Sequence, residues 1–398
     1  MRNLTLAAFA ALSLITLGCE RKTPAVDPKP PEAKPVDAGV AAAPKQDDVI
    51  LLGEVGSLTG PEAAFGISTK QGIELALAEA NAAGGVKGKK LEVRVYDDQS
   101  KPEEAASAAA RLITQDHIAL LLGEVASSNS LAMAPKAQEA KVPMISPSST
   151  NPAVTEVGDY IFRVCFIDPF QGYVMAKYAR QDLKMSKAAI LKDVKSAYSM
   201  GLADVFEKKF SELGGKVAGI ESYSKGETDF RAQLTALKKL KVEGLYVPGY
   251  YNDVGLVARQ AKELGLKVTM MGGDGWDSEK LFELGGAALD GSVVSNHYSA
   301  EDPSPQVQNF ITKYKEKYGA VPDSLAALGY DAAMVGIEAM KRSTDLTGPS
   351  IRDALAQIRD FPGVAGTISI NEKRDAVKPA VVLQIKNNKF NYVATVKP

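Results

Sequence analysis

Apolar runs alternate with amphipathic segments from Val49 onward, and glycine pairs or polar turns separate them. The runs VILLGEV, LEVRVYDD and IALLLGEV have the length and composition of strands, and the second alternates with period two. Residues 63–83 carry apolar side chains at helical spacing and end at Gly84-Gly85, a typical helix stop. Strand and helix in this repeated order predict a parallel sheet with helices on both faces.

The pattern continues with predicted helices at 102–115 and 129–140, and with a strand in VPMIS. It restarts near Lys187, where AAILKD, VAGIESY, GLYVPGY and KVTMMGGD read as strands. Predicted helices separate these strands at 199–213, 229–239 and 253–264. We therefore expect an α/β fold of two doubly wound parallel-sheet lobes joined by a hinge. Ligands in such folds bind outside the C-terminal ends of the strands, here in the cleft between the lobes.

The same alternation suggests where the chain crosses between the lobes. We predict that lobe 1 contains residues 49–165 and 297–366, and that lobe 2 contains residues 166–296 and 367–398.

The N-terminus has a different composition from the rest of the chain. Residues 1–18 have one basic residue and then a small, apolar stretch, which is typical of a signal peptide. The pair Gly18-Cys19 resembles the lipobox of bacterial lipoproteins, with Cys19 as the lipidated residue, although Thr16 stands where that pattern prefers Leu. The alternative is a plain signal peptide that is cut nearby.

The segment after Cys19 supports a tether. Residues 20–48 are rich in Pro and Ala and have almost no large apolar side chains, so they cannot bury enough surface to fold. Together with Cys19, residues 19–48 predict a lipid-anchored protein of the periplasm or cell envelope.

Charge and composition exclude several function classes. The 398-residue chain has a formal net charge of −1 with both signs dispersed, so it offers no footprint for nucleic acid. Once Cys19 is lipidated, Cys165 is the remaining thiol, which leaves no internal disulfide. The two histidines, His117 and His297, lack the spacing of a metal site. His117 reads as structural, and His297 as a residue near a lobe crossing.

Catalytic and cofactor motifs are also missing from the sequence. It contains no GxxxxGK[ST] phosphate loop, no GxGxxG fingerprint and no GxSxG elbow. Ser127 and Ser128 have no evident His base, so nucleophilic catalysis is not expected. We predict a binding protein with no catalytic residues, no metal and no cofactor.

Polar recognition is concentrated in two loops at predicted strand ends. The segment VPMISPSSTNP places Ser148, Ser149 and Thr150 directly after a strand, where hydroxyls can hold a small polar ligand. Ser127 lies between the strand LLLGEV and the next helix, where a carboxylate would meet the positive end of the helix. The alternative for each of these hydroxyls is helix capping.

An acid and several aromatic residues complete the candidate site. Asp274 stands between glycines in MMGGDGWDS, after an apolar strand, and could neutralise a ligand ammonium. Its alternative role is that of a turn-forming Asp. Aromatic residues that fall at strand ends or in loops, and so could wall the cleft, are Phe65, Tyr198, Tyr250, Tyr251 and Trp276.

Between Val49 and Asn387 the chain resembles the periplasmic branched-chain amino-acid-binding proteins of ABC importers, which have the type I substrate-binding fold. The resemblance rests on GPEAAFGISTKQGIELALAEANAAGGVKGKKLEV, YDDQSKPEEAA, ISPSSTNPAVTEVGDYIFRV, SYSKGETDFRAQLTALK, GYYNDVGLVARQAKELGL and INEKRDAV. It covers nearly the whole predicted folded part.

The resemblance implies a role for each candidate. Ser127 and Thr150 look like the family's hydroxyls for the ligand α-carboxylate, and Ser149 stands where the family uses a main-chain group. Asp274 takes the place of an acid that pairs with the α-ammonium. The remaining matches line the walls and the side-chain pocket of the family site: Tyr198, Tyr250, Phe65, Val125 and Ala126. Trp276, two residues past the acid, could reshape the pocket.

The chain also departs from the family pattern. Well-known members have a disulfide at positions matching Ser100 and Ala126, and neither is Cys here. Asp274 is one methylene shorter than the usual Glu, and Ser148-Ser149 replaces the usual Gly-Ala. These differences leave the ligand side chain open.

The resemblance implies a monomeric lipoprotein that captures an amino acid, branched-chain or otherwise apolar, and delivers it to ABC permease subunits in the inner membrane. Other hypotheses are the ligand-binding component of a sensory system, or a binding protein for an amide, urea or an aromatic acid. No transmembrane helix follows the folded part, which argues against a one-chain receptor. A ligand without an ammonium would leave Asp274 unpaired, which favours an α-amino acid.

Overall fold

A computed structural model of the protein describes residues 48–398. The predicted signal peptide, Cys19 and nearly all of the predicted tether lie outside these residues. Within them, no helix has the length and apolar character needed to cross a bilayer.

The chain first builds a five-stranded sheet whose paired strands all run parallel, in the order β2-β1-β3-β4-β5. Its strands are β1 Val49–Gly56, β2 Lys90–Asp97, β3 Leu120–Leu122, β4 Met144–Ser146 and β5 Ile161–Arg163. The helices between them are α1 Ala63–Ala82, α2 Pro102–Thr114, α3 Ser127–Ala140 and the short α4 Ala153–Glu156. This sheet and its helices form lobe 1.

The next segment builds the parallel part of a second sheet and forms lobe 2. Its strands are β6 Lys187–Asp193, β7 Lys216–Tyr223, β8 Gly244–Tyr246, β9 Thr269–Gly272 and β10 Val293–Asn296. The helices are α5 Asp168–Lys177, α6 Ala197–Glu212, α7 Arg231–Lys239, α8 Tyr251–Glu263 and α9 Glu279–Gly285. A short 3-10 turn, Asp274–Trp276, follows β9 directly.

The chain then returns to lobe 1 with α10 Pro305–Tyr318, α11 Ser324–Arg342 and α12 Gly348–Ala356. α11 packs closely on α1 because Gly72 has no side chain: a Cβ there would lie 2.0 Å from the carbonyl oxygen of Ala326. A small antiparallel sheet follows, with β11 Phe361–Gly363, β12 Gly366–Ile370 and β13 Ala376–Val377.

The last two strands, β14 Ala380–Ile385 and β15 Phe390–Val396, add antiparallel to the edge of the second sheet, whose order is β15-β14-β10-β9-β8-β6-β7. The chain therefore passes between the lobes at 164–167, 297–304 and 378–379.

The predicted alternation of strands and helices, and the two lobes, are confirmed. One predicted boundary differs. Residues 367–377 were assigned to lobe 2, but Ile368, Ile370 and Ala376 pack in the apolar core of lobe 1. These residues belong to a local antiparallel sheet, which a pattern of repeated strands and helices does not reveal.

Candidate functional site

A small cavity lies between the lobes, where the C-terminal ends of strands from both sheets meet. Lobe 1 lines it with Phe65, Val125, Ser127, Ser148 and Leu325, and lobe 2 with Tyr198, Tyr250, Asp274 and Gly275. Groups from both lobes therefore line one small cavity.

The lobe 1 wall combines a hydroxyl with a helix terminus. Ser127 is the first residue of α3, so the positive end of this 14-residue helix meets the cavity. Its Oγ accepts a hydrogen bond of 3.3 Å from the backbone N–H of Asn151. Ser148, in the neighbouring loop, adds a second hydroxyl to the wall. This arrangement can receive an anionic group such as a carboxylate.

The two hydroxyls next to Ser148 differ in how the protein uses them. Ser149 Oγ donates to the carbonyl oxygens of Glu124 and Val125 at 3.0 and 2.9 Å. Thr150 Oγ1 is fully buried and lies beside the carboxyl group of Asp168, whose pKa it lowers against the effect of burial. The Ser149 side chain therefore holds the loop, whereas the Thr150 hydroxyl faces a buried acid.

Asp274 supplies the acidic group of the lobe 2 wall, and three side chains hold its carboxylate. Oδ1 accepts hydrogen bonds from Gln171 Nε2 at 2.7 Å and Tyr198 OH at 3.0 Å. Oδ2 lies 3.0 Å from Nε2 of His297. Burial lowers the pKa of His297 to about 4, against the opposing effect of Asp274, so the imidazole is neutral at pH 7. No cation within the described residues therefore neutralises Asp274.

Aromatic rings close the cavity from both lobes. The rings of Tyr198 and Tyr250 stack at 5.2 Å with an interplanar angle of 8°, and the edge of Phe65 meets Tyr250 at 5.6 Å. Burial raises the pKa of both tyrosines well above the usual value, so their hydroxyls stay protonated donors. With Val125 and Leu325, these rings make an apolar surface beside the polar groups.

Not every predicted site residue reaches this cavity. The lining includes neither Ala126, Ser149, Thr150 nor Trp276. Trp276 is fully buried in the core of lobe 2, where its Nε1–H donates to the carbonyl oxygen of Val247 at 2.9 Å. The prediction that Trp276 walls the cleft is wrong, because the 3-10 turn that directs Asp274 toward the cavity directs Trp276 into the core.

Sequence reasoning missed several residues that the fold brings to the site. Leu325 reaches the lining from α11, far along the chain. Gln171 reaches Asp274 from α5, and His297 reaches it from the crossing segment 297–304. The sequence predicts His297 near a lobe crossing, but no local pattern points to its partner.

A second acid, Asp168, was also missed. It is fully buried at the start of α5, and its backbone N–H donates to the carbonyl oxygen of Thr150 at 2.9 Å. Burial raises the pKa of Asp168 to about 7, against the opposing effects of the Thr150 hydroxyl and of Arg163. Asp168 in IDPF reads only as a residue at the start of a helix, so the sequence gave no signal of this environment.

Direct contacts join the two lobes on either side of the cavity. On one side, Tyr251 OH donates to the carbonyl oxygen of Pro61 at 2.8 Å. On the other, Asn151 Nδ2 donates to the carbonyl oxygen of Ala197 at 2.8 Å, and the backbone N–H of Ala197 donates to Ser128 Oγ at 3.0 Å. The lobes are thus in a closed arrangement, which explains why the candidate side chains are buried.

Comparison with known proteins identifies the family. The model of the periplasmic binding protein family matches residues 50–389. A Leu/Ile/Val-binding protein homolog of Brucella abortus is 32% identical over 354 residues, which cover 86% of this chain and 93% of that protein.

Two solved structures are similar across the same region. A leucine-binding protein of Thermotoga maritima superposes with a TM-score of 0.84 at 39% identity, covering 88% of this chain and 99% of that one. A branched-chain amino acid transporter substrate-binding protein of Streptococcus pneumoniae, in complex with isoleucine, gives 0.84 at 33% identity, covering 88% and 100%. The chain therefore belongs to the periplasmic binding protein family.

Proposed function

We propose that this protein is the solute-binding component of an ABC importer and that it captures a branched-chain or other apolar α-amino acid between its lobes. One observation carries the proposal. A hydroxyl-bearing helix terminus at Ser127 and an acid without a neutralising cation at Asp274 line the same small cavity from opposite lobes. An α-amino acid has matching charges, because its carboxylate suits the first group and its ammonium suits the second.

The ligand carboxylate is received by the lobe 1 side, with Ser127 and Thr150 as hydroxyl donors and the loop at Ser149 contributing main-chain groups. The ammonium faces Asp274, with Tyr198 and Tyr250 beside it. The apolar side chain lies against Phe65, Val125 and Leu325, which are all buried in an apolar cluster shared by both lobes. A purely polar ligand would leave this apolar surface unused.

Closure follows from the distribution of these groups. Because the carboxylate contacts come from lobe 1 and Asp274 comes from lobe 2, a ligand makes both sets of contacts only in the closed form. Binding therefore shifts the population toward that form. The closed protein is then presented to the permease subunits, and we infer no enzymatic step.

The location follows from the family and from the N-terminus. Proteins of this family act in the periplasm or cell envelope, and Cys19 with the spacer to residue 48 suits a lipid anchor to the membrane. We infer that the folded part works as a monomer on this tether.

Three side chains of the protein already contact the Asp274 carboxylate, so the presence of an ammonium on the ligand needs a direct test. A ligand panel decides the question. We expect leucine, isoleucine or valine to raise the melting temperature of the purified protein, with isothermal titration calorimetry giving the affinity. No response to any amino acid, with a clear response to 4-methylpentanoic acid, benzoate, urea or an amide, would overturn the proposed ligand class.

A further inference from the structure

Asp274 has an asymmetric set of partners. Gln171 and Tyr198 both donate to Oδ1, at 2.7 and 3.0 Å. His297 is the side chain found at Oδ2 within the described residues, with its Nε2 at 3.0 Å. Within the described residues, His297 is therefore the side chain that holds Oδ2 directly, while the other two hold Oδ1.

That imidazole is itself held in place by its surroundings. His297 is 3% exposed, and its ring stacks on Phe166 with a centroid distance of 3.6 Å and an interplanar angle of 23°. Phe166 lies in the crossing segment 164–167, and His297 begins the crossing segment 297–304. The His297 ring therefore packs one crossing segment against another.

The hydrogen-bonding pattern fixes the tautomer. A carboxylate oxygen only accepts, so Nε2 carries the proton and donates to Oδ2. Nδ1 is buried and has no hydrogen-bond partner within the described chain, which fits a ring whose one polar contact is Asp274. A neutral donor orients the acid and leaves its negative charge for a ligand, whereas an imidazolium would cancel that charge.

We propose that His297 is a positioning residue that, through its Nε2–H, orients the Asp274 carboxylate for a ligand ammonium. The inference rests on the proposed function, because it assumes a ligand that carries an ammonium. Ring stacking on Phe166 supplies the fixed orientation, and the hydrogen bond transmits it to Oδ2.

Two variants separate the hydrogen bond from the packing. His297→Phe keeps an aromatic ring to stack on Phe166 but removes the donor, whereas His297→Gln keeps an N–H donor and loses the ring. His117→Phe is the matched control, because His117 is the other histidine of the sequence and is exposed at the end of the segment after α2.

The readout is the ratio of affinities for leucine and 4-methylpentanoic acid, which has the same side chain and carboxylate without the ammonium. We expect His297→Phe to weaken leucine binding about tenfold, the effect of one hydrogen bond to a charged group, and to change binding of the analogue less than about twofold. His297→Gln should recover most of the leucine affinity, and His117→Phe should match the wild type. An equal loss for both ligands would overturn the proposal in favour of a packing role.

Nitrogen NMR tests the pair without any ligand. With two histidines in the sequence, the imidazole signals can be assigned by comparison with the His117 variant. We expect His297 to be protonated on Nε2 alone near pH 7, and Asp274→Asn to shift its signals while leaving those of His117 unchanged. A proton on Nδ1 of His297 would overturn the proposal. So would His297 nitrogen signals that are the same in the wild type and in Asp274→Asn.

The two failures are distinguishable. If the wild type binds leucine but His297→Phe leaves the affinity ratio unchanged, the role of His297 is rejected and the proposed function stands. If the wild type binds no amino acid, the proposed function is rejected together with an ammonium-directed role for His297, whatever tautomer the NMR spectrum shows.

Discussion

The ammonium of Lys225 in lobe 2 lies 2.7 Å from Oε1 of Glu62 in lobe 1. Lys225 Nζ also donates to the carbonyl oxygen of Ser100 at 2.8 Å. Glu62 is 2% exposed and precedes α1, whereas Lys225 lies in the loop after β7. Burial raises the pKa of Glu62 in spite of Lys225, and Asp98 adds to the rise, so this carboxylate depends on a cation from the other lobe. The ion pair belongs to the closed form.

We expect Lys225→Met to weaken leucine binding roughly tenfold, or about 1.4 kcal/mol, because closure would then bury Glu62 without its counterion. Small-angle scattering should also show a larger radius of gyration at subsaturating leucine than in the wild type. The matched control is Lys239→Met, at an exposed position of α7 without an ion-pair partner in the described chain. Equal affinities for the wild type and Lys225→Met would show that the pair does not stabilise closure.

Asp274→Ala removes the proposed partner of the ligand ammonium. We expect the variant to fold and to bind leucine more weakly by roughly 2 kcal/mol or more, the scale for losing a buried charge partner. Calorimetry measures the affinity, and a thermal melt without ligand checks the fold. Asp182→Ala, at an exposed position of lobe 2, should bind as the wild type does. An unchanged leucine affinity of Asp274→Ala would contradict the assignment of Asp274 as the partner of the ligand ammonium.

Thr150→Val tests a buried hydroxyl that lies beside the carboxyl group of Asp168. Because this is a single polar contact, its replacement by a methyl group should lower the free energy of unfolding by no more than about 1 kcal/mol. Leucine affinity should fall about tenfold if the hydroxyl binds the ligand carboxylate.

Thr155→Val is the paired comparison, because Thr155 Oγ1 donates to Asp375 Oδ1 at 2.9 Å and accepts from Arg163 Nη2 at 3.0 Å. It should lower the free energy of unfolding by about 1–3 kcal/mol. A Thr150→Val protein that loses stability but keeps its affinity would reverse the assignment.

Glu54 gives a pH dependence that is separate from the site. It is fully buried on β1 with no hydrogen-bond partner in the described chain, and burial, with a smaller effect of Glu74, raises its pKa to about 8. In the unfolded chain a Glu titrates near 4.3, so between about pH 4.3 and 8 the folded state binds more protons than the unfolded state. The contribution of Glu54 to stability is therefore fully present below that window and is lost as the pH rises to about 8.

Glu54→Gln removes this titration. We expect its free energy of unfolding to be close to that of the wild type near pH 5 and to exceed it by about 4 kcal/mol at pH 8.5, as measured by urea denaturation at each pH. Glu92→Gln, on the exposed face of the neighbouring strand β2, should follow the wild type at both pH values. Parallel pH profiles for the wild type and Glu54→Gln would contradict the raised pKa.

The sequence predicts the fold well because two of its signals are local: the spacing of apolar residues along strands and helices, and the glycines at which helices end. The predicted helix at 63–83 and the observed Ala63–Ala82 differ by one residue. The predicted strand IALLLGEV is shortened to Leu120–Leu122, since the residues after it turn to begin the loop that leads to α3. The small sheet of β11–β13 escaped prediction because its short strands carry no comparable period.

The direction of a side chain within a turn is harder to predict from the sequence than a helix or a strand. Asp274 and Trp276 stand two residues apart in GGDGW, yet the first lines the cavity and the second is buried in the core of lobe 2. His297 meets Asp274 only because a crossing segment lies beside the turn after β9. Such contacts depend on how the lobes join, which no short-range pattern specifies.

Trp276 is the one tryptophan of the sequence, and it is fully buried two residues from Asp274. Its emission therefore has a single source, and its indole N–H is fixed on Val247 rather than on solvent. The protein thus has a built-in optical probe of lobe 2: tryptophan fluorescence of the unmodified chain reports on the core of this lobe alone, with no dye and no engineered label.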